Sequence, residues 1–238
     1  MDFALLLIDL ALFCVTVLWV GKKPTFAKVT AMIFVIAVVE LGIDSVLAWQ
    51  QGLNVFEWYR QAFDSVMSAY GEVLGSAELE SFDTVVNTVT GCLVAMYVIQ
   101  AASQVFVALL LVWAVKRLRK RPLGWSPLSK VDLPVWVVLP LIVGFLGIAL
   151  CNVSALPHKD EIFLVALNVL VIACIPLFAQ GLAACKGVLN NANCSAIVQF
   201  LIAFVTGLFG VFALVVVAVG LIDFWANLRK LPRDGNTE

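Results

Sequence analysis

KRLRKRPLGWSPLSKVDLPVWVVLP, residues 116–140, decides how this chain is arranged. It holds six of the fifteen basic residues, at Lys116, Arg117, Arg119, Lys120, Arg121 and Lys130. A long apolar segment precedes it, and a proline-punctuated apolar segment follows. Positive charge beside a membrane span stays in the cytoplasm, so this loop orients everything on either side of it.

The composition agrees with a chain built of spans. Its 238 residues are 63% hydrophobic and 13% charged, with a mean hydropathy of +1.04. Soluble domains are about one-half apolar and one-quarter charged. This is an integral membrane protein whose partner is the lipid bilayer, with no nucleic-acid footprint. The net charge of −1 says little, because the charges are segregated along the chain. Cysteines 14, 92, 151, 174, 185 and 194 lie in or beside apolar segments and form no CxxC. They read as small hydrophobes, so no disulfide framework, metal site or cofactor is indicated. The first apolar segment has Asp2 before it and Lys22 and Lys23 after it. A signal peptide has the opposite charge order, so this is a retained first span.

Six spans are expected, over 3–20, 26–49, 85–115, 133–150, 162–184 and 196–221. A crossing takes about 20 residues, so the first is close to the short limit, and 85–115 is long enough to tilt or extend beyond the bilayer. Pro134 suits a helix start, whereas Pro140 and Pro176 fall within spans and should kink them. Residues 50–84 differ. Glu57, Asp64, Glu72, Glu78, Glu80 and Asp83 face a single Arg60, yet Phe56, Tyr59, Phe63, Val66, Tyr70 and Val73 recur at three- and four-residue steps. That stripe makes an amphipathic helix, too polar to cross, lying at the interface or capping the bundle. The expected fold is an all-α polytopic bundle of about six transmembrane helices, a single domain over 1–238 with an amphipathic extracytoplasmic insertion.

With six spans, ten basic residues fall on one side and five on the other. The majority places the basic loop in the cytoplasm and both termini outside. Arg229, Lys230 and Arg233 oppose this, standing just after the last span. Either the tail is an exception or 196–221 is not one simple crossing, with Gly207 and Gly210 allowing a break.

The half of the chain from residue 110 onward resembles DUF2232, the YybS-like family of bacterial membrane proteins. The likeness rests on PLSKVDLPVWVVLP (127–140), PLFAQGLAACKGVL (176–189) and GLIDFWANLRK (220–230), with Trp136, Gln180, Gly181, Gly220, Asp223, Trp225 and Arg229 in the family's pattern. The amphipathic piece is similar in style only, and the first spans read as a departure or a shortened version. The resemblance implies a multi-pass protein of the bacterial plasma membrane. It also implies a place near the substrate-binding components of energy-coupling-factor vitamin transporters, hence a six-helix fold with a solute pocket.

Polar residues inside spans are the candidates for chemistry, because burying them is costly unless they are paired or hydrated. Glu40 and Asp44 share a face of span two, four residues apart. They could bind a cation or relay protons, or simply be satisfied by a neighbouring helix and outer water. Asp9 lies midway along span one, facing the bundle interior. Gln100 and Gln104 repeat the four-residue spacing on span three and either line a pocket or glue helices together. Asn168 and Gln180 flank Pro176 on span five, where a kink frees backbone groups for a midplane site. Asp223 and Arg229, six apart, are too distant for a same-face helical pair, and Trp225 reads as an interface anchor. His158 is isolated in a polar turn. No HExxH, nucleophile–histidine pair or phosphate loop is present, so an enzyme is not expected. Two readings stand. One is a component that binds or transports a small solute through Glu40, Asp44, Gln100, Gln104, Asn168 and Gln180. The other is a membrane scaffold that holds lipid or a protein partner through Lys116, Arg117, Arg119, Lys120 and Arg121, or through the acidic insertion.

Overall fold

The structure is a computed structural model that describes residues 3–20, 24–70, 85–121, 127–151, 157–195 and 210–232. Helix α1 spans Phe3–Val20 and α2 spans Phe26–Gln50, close to the expected first two spans. Thr25 caps α2, its hydroxyl oxygen accepting the Lys28 N–H at 3.3 Å, which satisfies a donor the first turn leaves open. Helix α3, Val55–Tyr70, is the amphipathic piece. A reciprocal cap fixes its start: Asn54 Oδ1 accepts from Glu57 N at 2.9 Å, and Glu57 Oε2 accepts from Asn54 N at 3.1 Å. Val55 is buried and Tyr59 half-buried, while Phe56 and Val66 stay exposed. The second acidic piece expected over 71–84 lies outside the described residues.

The third apolar segment is helical over 85–91, turns at Cys92, and continues as α4, Leu93–Leu118. It therefore runs into the basic stretch. Lys116 and Arg117 sit in its last turn, where cations favour the helix dipole. The Arg117 guanidinium lies 5.1 Å from the centre of the Trp113 ring. After the basic loop come two short 3₁₀ turns, Leu128–Lys130 and Val135–Val138, and then α5, Leu139–Leu150. Pro140 does not kink a span as expected. It occupies the first turn of α5, where its missing N–H has no partner to lose.

Helix α6, Lys159–Asn191, runs through Pro176 without ending. It starts earlier and ends later than the expected span, absorbing most of the polar turn placed at 186–195. Asp160 and Glu161 in its first turn favour its positive end. Of the expected last span, 196–209 lies outside the described residues and the rest forms α7, Gly210–Ala226. By length and hydropathy α2, α4 and α6 can each cross a membrane, and Ile8–Trp19, Val135–Leu150 and Ala213–Ala226 are shorter apolar pieces.

Helix α6 is the hub. One core joins Met32, Ile36 and Ala37 of α2, Val55 of α3, and Leu93, Tyr97, Val98, Ala101 and Val105 of α4, with Ile172 and Ile175 of α6 packed against it. A second joins Leu133, Val137, Val138 and Leu141 to Ala173 and Leu177 of α6 and Phe224 of α7. Around these the outward faces stay apolar, as at Val38, Val107, Val143, Leu146 and Leu214. Outward apolar side chains suit lipid, where helices associate by close packing and polar glue rather than by hiding from water.

Small residues set the closest approach. A Cβ on Gly181 would overlap the Val216 carbonyl, and one on Gly220 would overlap the Leu177 carbonyl. From that crossing α6 and α7 climb in the same direction. Gly220 sits beside the Leu177–Gly181 turn, and farther along, Arg229 packs on Gly187. Parallel neighbours do not fit the single crossing expected over 196–221. A single crossing over 196–221 would instead have made the two helices antiparallel. The tail after α7 thus meets the end of the bundle that carries the basic loop.

Candidate functional site

Helices α2 and α4 bury an acid against an amide. Glu40 is 6% exposed. Its Oε1 accepts from Gln104 Nε2, across sixty-four residues of sequence. The other oxygen of each group, Glu40 Oε2 and Gln104 Oε1, is buried with no hydrogen-bond partner among the described residues. Asp9 of α1, Gln100 of α4 and Asp44 of α2 act on the same carboxyl. Asp9 and Gln100 keep exposed faces, so α1 does not enclose Asp9 as expected.

One turn along α2, Asp44 receives two phenols. Tyr59 donates to its Oδ2 at 2.8 Å, and Tyr97 donates to the same oxygen. The two hydroxyl oxygens lie 3.3 Å apart, and the rings meet edge to face at 6.4 Å. Tyr59 comes from α3, so this contact fastens the amphipathic helix across the ends of α2 and α4. Burial pushes the Tyr59 phenol above the ordinary tyrosine range. It therefore stays a donor at neutral pH, which suits an anionic acceptor. Asp44, Tyr97, Gln100, Glu40 and Gln104 form a polar column that begins under α3 and descends one turn between α2 and α4.

Asn168 does something else. The helical ladder is open between Gly91 and Ala95, and the Asn168 side chain lies across the gap. Its Oδ1 accepts the Ala95 N–H at 2.9 Å, and its Nδ2 donates to the Gly91 carbonyl at 2.7 Å and to Leu164 O at 2.8 Å. An amide inserted into the ladder satisfies the groups that the break at Cys92 leaves free.

Gln180 belongs to a third group, at the basic end. It is fully buried. Its Nε2 donates to Asp132 Oδ1 at 2.8 Å and to Asp223 Oδ2 at 2.9 Å, and its Oε1 accepts the Leu133 N–H at 3.1 Å. Arg229 closes the network. Nε and Nη2 donate to Asp223 Oδ2 at 3.1 and 2.7 Å, and Nη2 also reaches Asp132 at 3.0 Å. Nη1 donates to the Ser129 carbonyl at 3.2 Å and to that of Val131. Asp223 and Arg229 thus pair despite their spacing. Helix α7 stops at Ala226, and Asn227 with φ of 42° turns the chain back over it; the same-face rule applies only within a helix. Beside Arg229 a cleft of about 240 Å³ opens, lined by Ser129, Lys130, Gly187, Asn190 and Asn191 among others.

The six candidate ligand residues therefore fall into three groups. Glu40, Asp44, Gln100 and Gln104 come together, Asn168 supports a helix break, and Gln180 joins the Arg229 network. Of the basic candidates, Lys116 is half-buried, and Arg117, Arg119, Lys120 and Arg121 are exposed. His158 is exposed, 3.3 Å from Glu161 in the same first turn. Trp225 is 68% exposed at the end of α7. Asp132 and the hydroxyls of Tyr59 and Tyr97 were not readable as site residues. Asp132 had a signal, an acid between apolar neighbours and two residues before a proline in the opening stretch. The tyrosines had none beyond their place in apolar stripes.

A family model described as a predicted membrane protein, DUF2232, matches residues 18–224. The match reaches back through α4, α3 and α2 and takes in only the last three residues of α1. No curated protein and no solved structure matches the chain.

Proposed function

The chain belongs to the DUF2232 family of predicted membrane proteins, and on that premise we propose that it binds a small solute inside the bilayer, between α2 and α4. The observation that carries this reading is the Glu40–Gln104 pair. Two buried oxygens with no donor, at the depth of a span, cost several kcal/mol on the order of other unsatisfied polar groups in hydrocarbon. Both oxygens are acceptors, so the pair can take a hydrogen-bond donor from a ligand. Asp44, with the phenols of Tyr59 and Tyr97, forms the outer wall of the site, and α3 covers it.

The proposed setting is a bacterial plasma membrane with the basic loop in the cytoplasm. Moving Arg229, Lys230 and Arg233 to that side turns ten against five into thirteen of the fifteen basic residues against two, Arg60 and Lys159. The conflict between loop and tail disappears. The amphipathic helix α3 then lies on the outer surface, the amino terminus is outside and the carboxyl terminus inside. This keeps five of the six expected crossings and leaves α7 running parallel to α6.

The test is thermal unfolding of the purified protein in lipid across a panel of vitamins and metabolites. A binding solute raises the midpoint in the wild type and not in Gln104→Leu. No stabilisation by any compound, or equal stabilisation of both proteins, overturns the reading. The scaffold alternative draws on the exposed Arg117, Arg119, Lys120 and Arg121. It gains if crosslinking at the basic loop recovers one defined protein.

A further inference from the structure

We propose that the Glu40–Gln104 pair is a proton site, in which Glu40 holds a proton on Oε2 and hands it on when solute binds. This rests on the reading that α2 and α4 enclose a binding site, and it names the ion that such a site would use.

The two orphaned atoms are both acceptors. Gln104 Nε2 already donates to Glu40 Oε1, so the amide presents its oxygen alongside, and the carboxyl presents its second oxygen. An ionised carboxylate can only accept, as can an amide oxygen. One proton added to Oε2 turns an unpartnered acceptor into a donor, and Gln104 Oε1 is an acceptor without a donor. A carboxylic acid and a primary amide joined this way make two hydrogen bonds and leave nothing buried unpaired. A proton does this with the groups already present and needs no further ligand. Among the described residues, no three or more His, Cys, Asp or Glu side chains gather as metal ligands.

The surroundings favour the neutral acid. Glu40 is 94% buried by the same measure that leaves it 6% exposed. The charged groups that face it are Asp9 from α1 and Asp44 from α2, both acids. From α3 and α4 it faces the phenol of Tyr59, the amides of Gln100 and Gln104, and beyond Asp44 the phenol of Tyr97. No basic side chain stands against it among these neighbours. A carboxylate buried here would stand without a counter-charge, with two acids as its charged neighbours. The step is balanced: an O–H bond forms on Oε2 with a proton from water, and it breaks when the proton returns to water, with no change of oxidation state.

The test is infrared difference spectroscopy on the full chain in lipid, recorded through a pH titration without added solute. The wild type should show the C=O stretch of a protonated carboxylic acid at neutral pH. Glu40→Gln should remove that band, while Asp9→Asn and Asp44→Asn retain it. Glutamine matches the shape of the protonated acid and can donate to Gln104, so this variant should fold. Glu40→Asp gives a second reading, because it keeps the acid but withdraws it by one methylene, and should shift the band. Wild-type and Glu40→Gln spectra that coincide would overturn the proposal. So would a midpoint raised by sodium over a large organic cation at fixed pH and lost in Glu40→Gln, which would make the ion a metal cation. The readout needs no solute, so its failure is distinct from failure of the solute panel.

Discussion

Replacing Arg229 with methionine removes, among the described residues, the cation that pairs with two carboxylates in a buried network. The side chain of Arg229 is 1% exposed, against 0% for Asp223 and 30% for Asp132. It donates five hydrogen bonds, two of them to Asp223 and two to the backbone of 129–131. Methionine fills much of the volume, so the loss is electrostatic rather than a cavity. Asp132 can turn toward water, but Asp223 cannot. Breaking a buried pair by removing one partner costs about 3–5 kcal/mol. Gln180 still donates to Asp223, which holds the expectation near the lower end, about 3 kcal/mol. Denaturant unfolding in mild detergent, followed by tryptophan fluorescence, reads this directly. Asp223→Asn with Arg229→Met should recover part of the loss, because the double variant leaves no uncompensated charge at Asp223. A cost under about 1 kcal/mol, the value of an exposed ion pair, would refute the burial of this network.

Other expectations follow from the same contacts. Gly220→Ala should destabilise by about 1–3 kcal/mol or prevent folding, because its Cβ meets backbone, whereas Gly91→Ala meets only the mobile end of Leu164 and should cost under about 1 kcal/mol; thermal midpoints compare them. Asn168→Leu strands the Ala95 N–H and the Gly91 carbonyl, at about 1–3 kcal/mol in the same assay. Tyr59→Phe removes the phenol that ties α3 to Asp44, costing about 0.5–2 kcal/mol, and should increase protease cutting within 55–70 while leaving α4 protected. A reporter fused after residue 238 should be active in its cytoplasmic form and silent in its periplasmic form, since α7 ends beside the basic loop.

Spans and the amphipathic helix were legible because they rest on local periodicity and length. The ends of α2 and the polar stripe of α3 needed no knowledge of distant residues. What sequence concealed was pairing at long range. Glu40 and Gln104 each stood out as a polar residue in a span, yet nothing in either neighbourhood said that one faces the other. Gln180 and Asn168, on one helix, looked like a single site around Pro176; their partners at Asp132 and Gly91 lie at opposite ends of the bundle. The direction of α7 was hidden for another reason. A run of apolar residues over 196–221 has the length of one span, and length does not report which way a helix runs beside its neighbour. Asn227 and Lys230 adopt positive φ, and neither announced that Arg229 would fold back onto Asp223. The basic tail did carry the signal, as a conflict with the basic loop that only a changed span count could remove.

The most direct measurement is native mass spectrometry of the protein released from its own membrane. A bilayer-buried solute site predicts a small-molecule adduct on the wild type that is absent from Gln104→Leu, with Arg229 left intact so that both proteins stay folded. The same adduct on both proteins, or none on either, would contradict a solute held between α2 and α4.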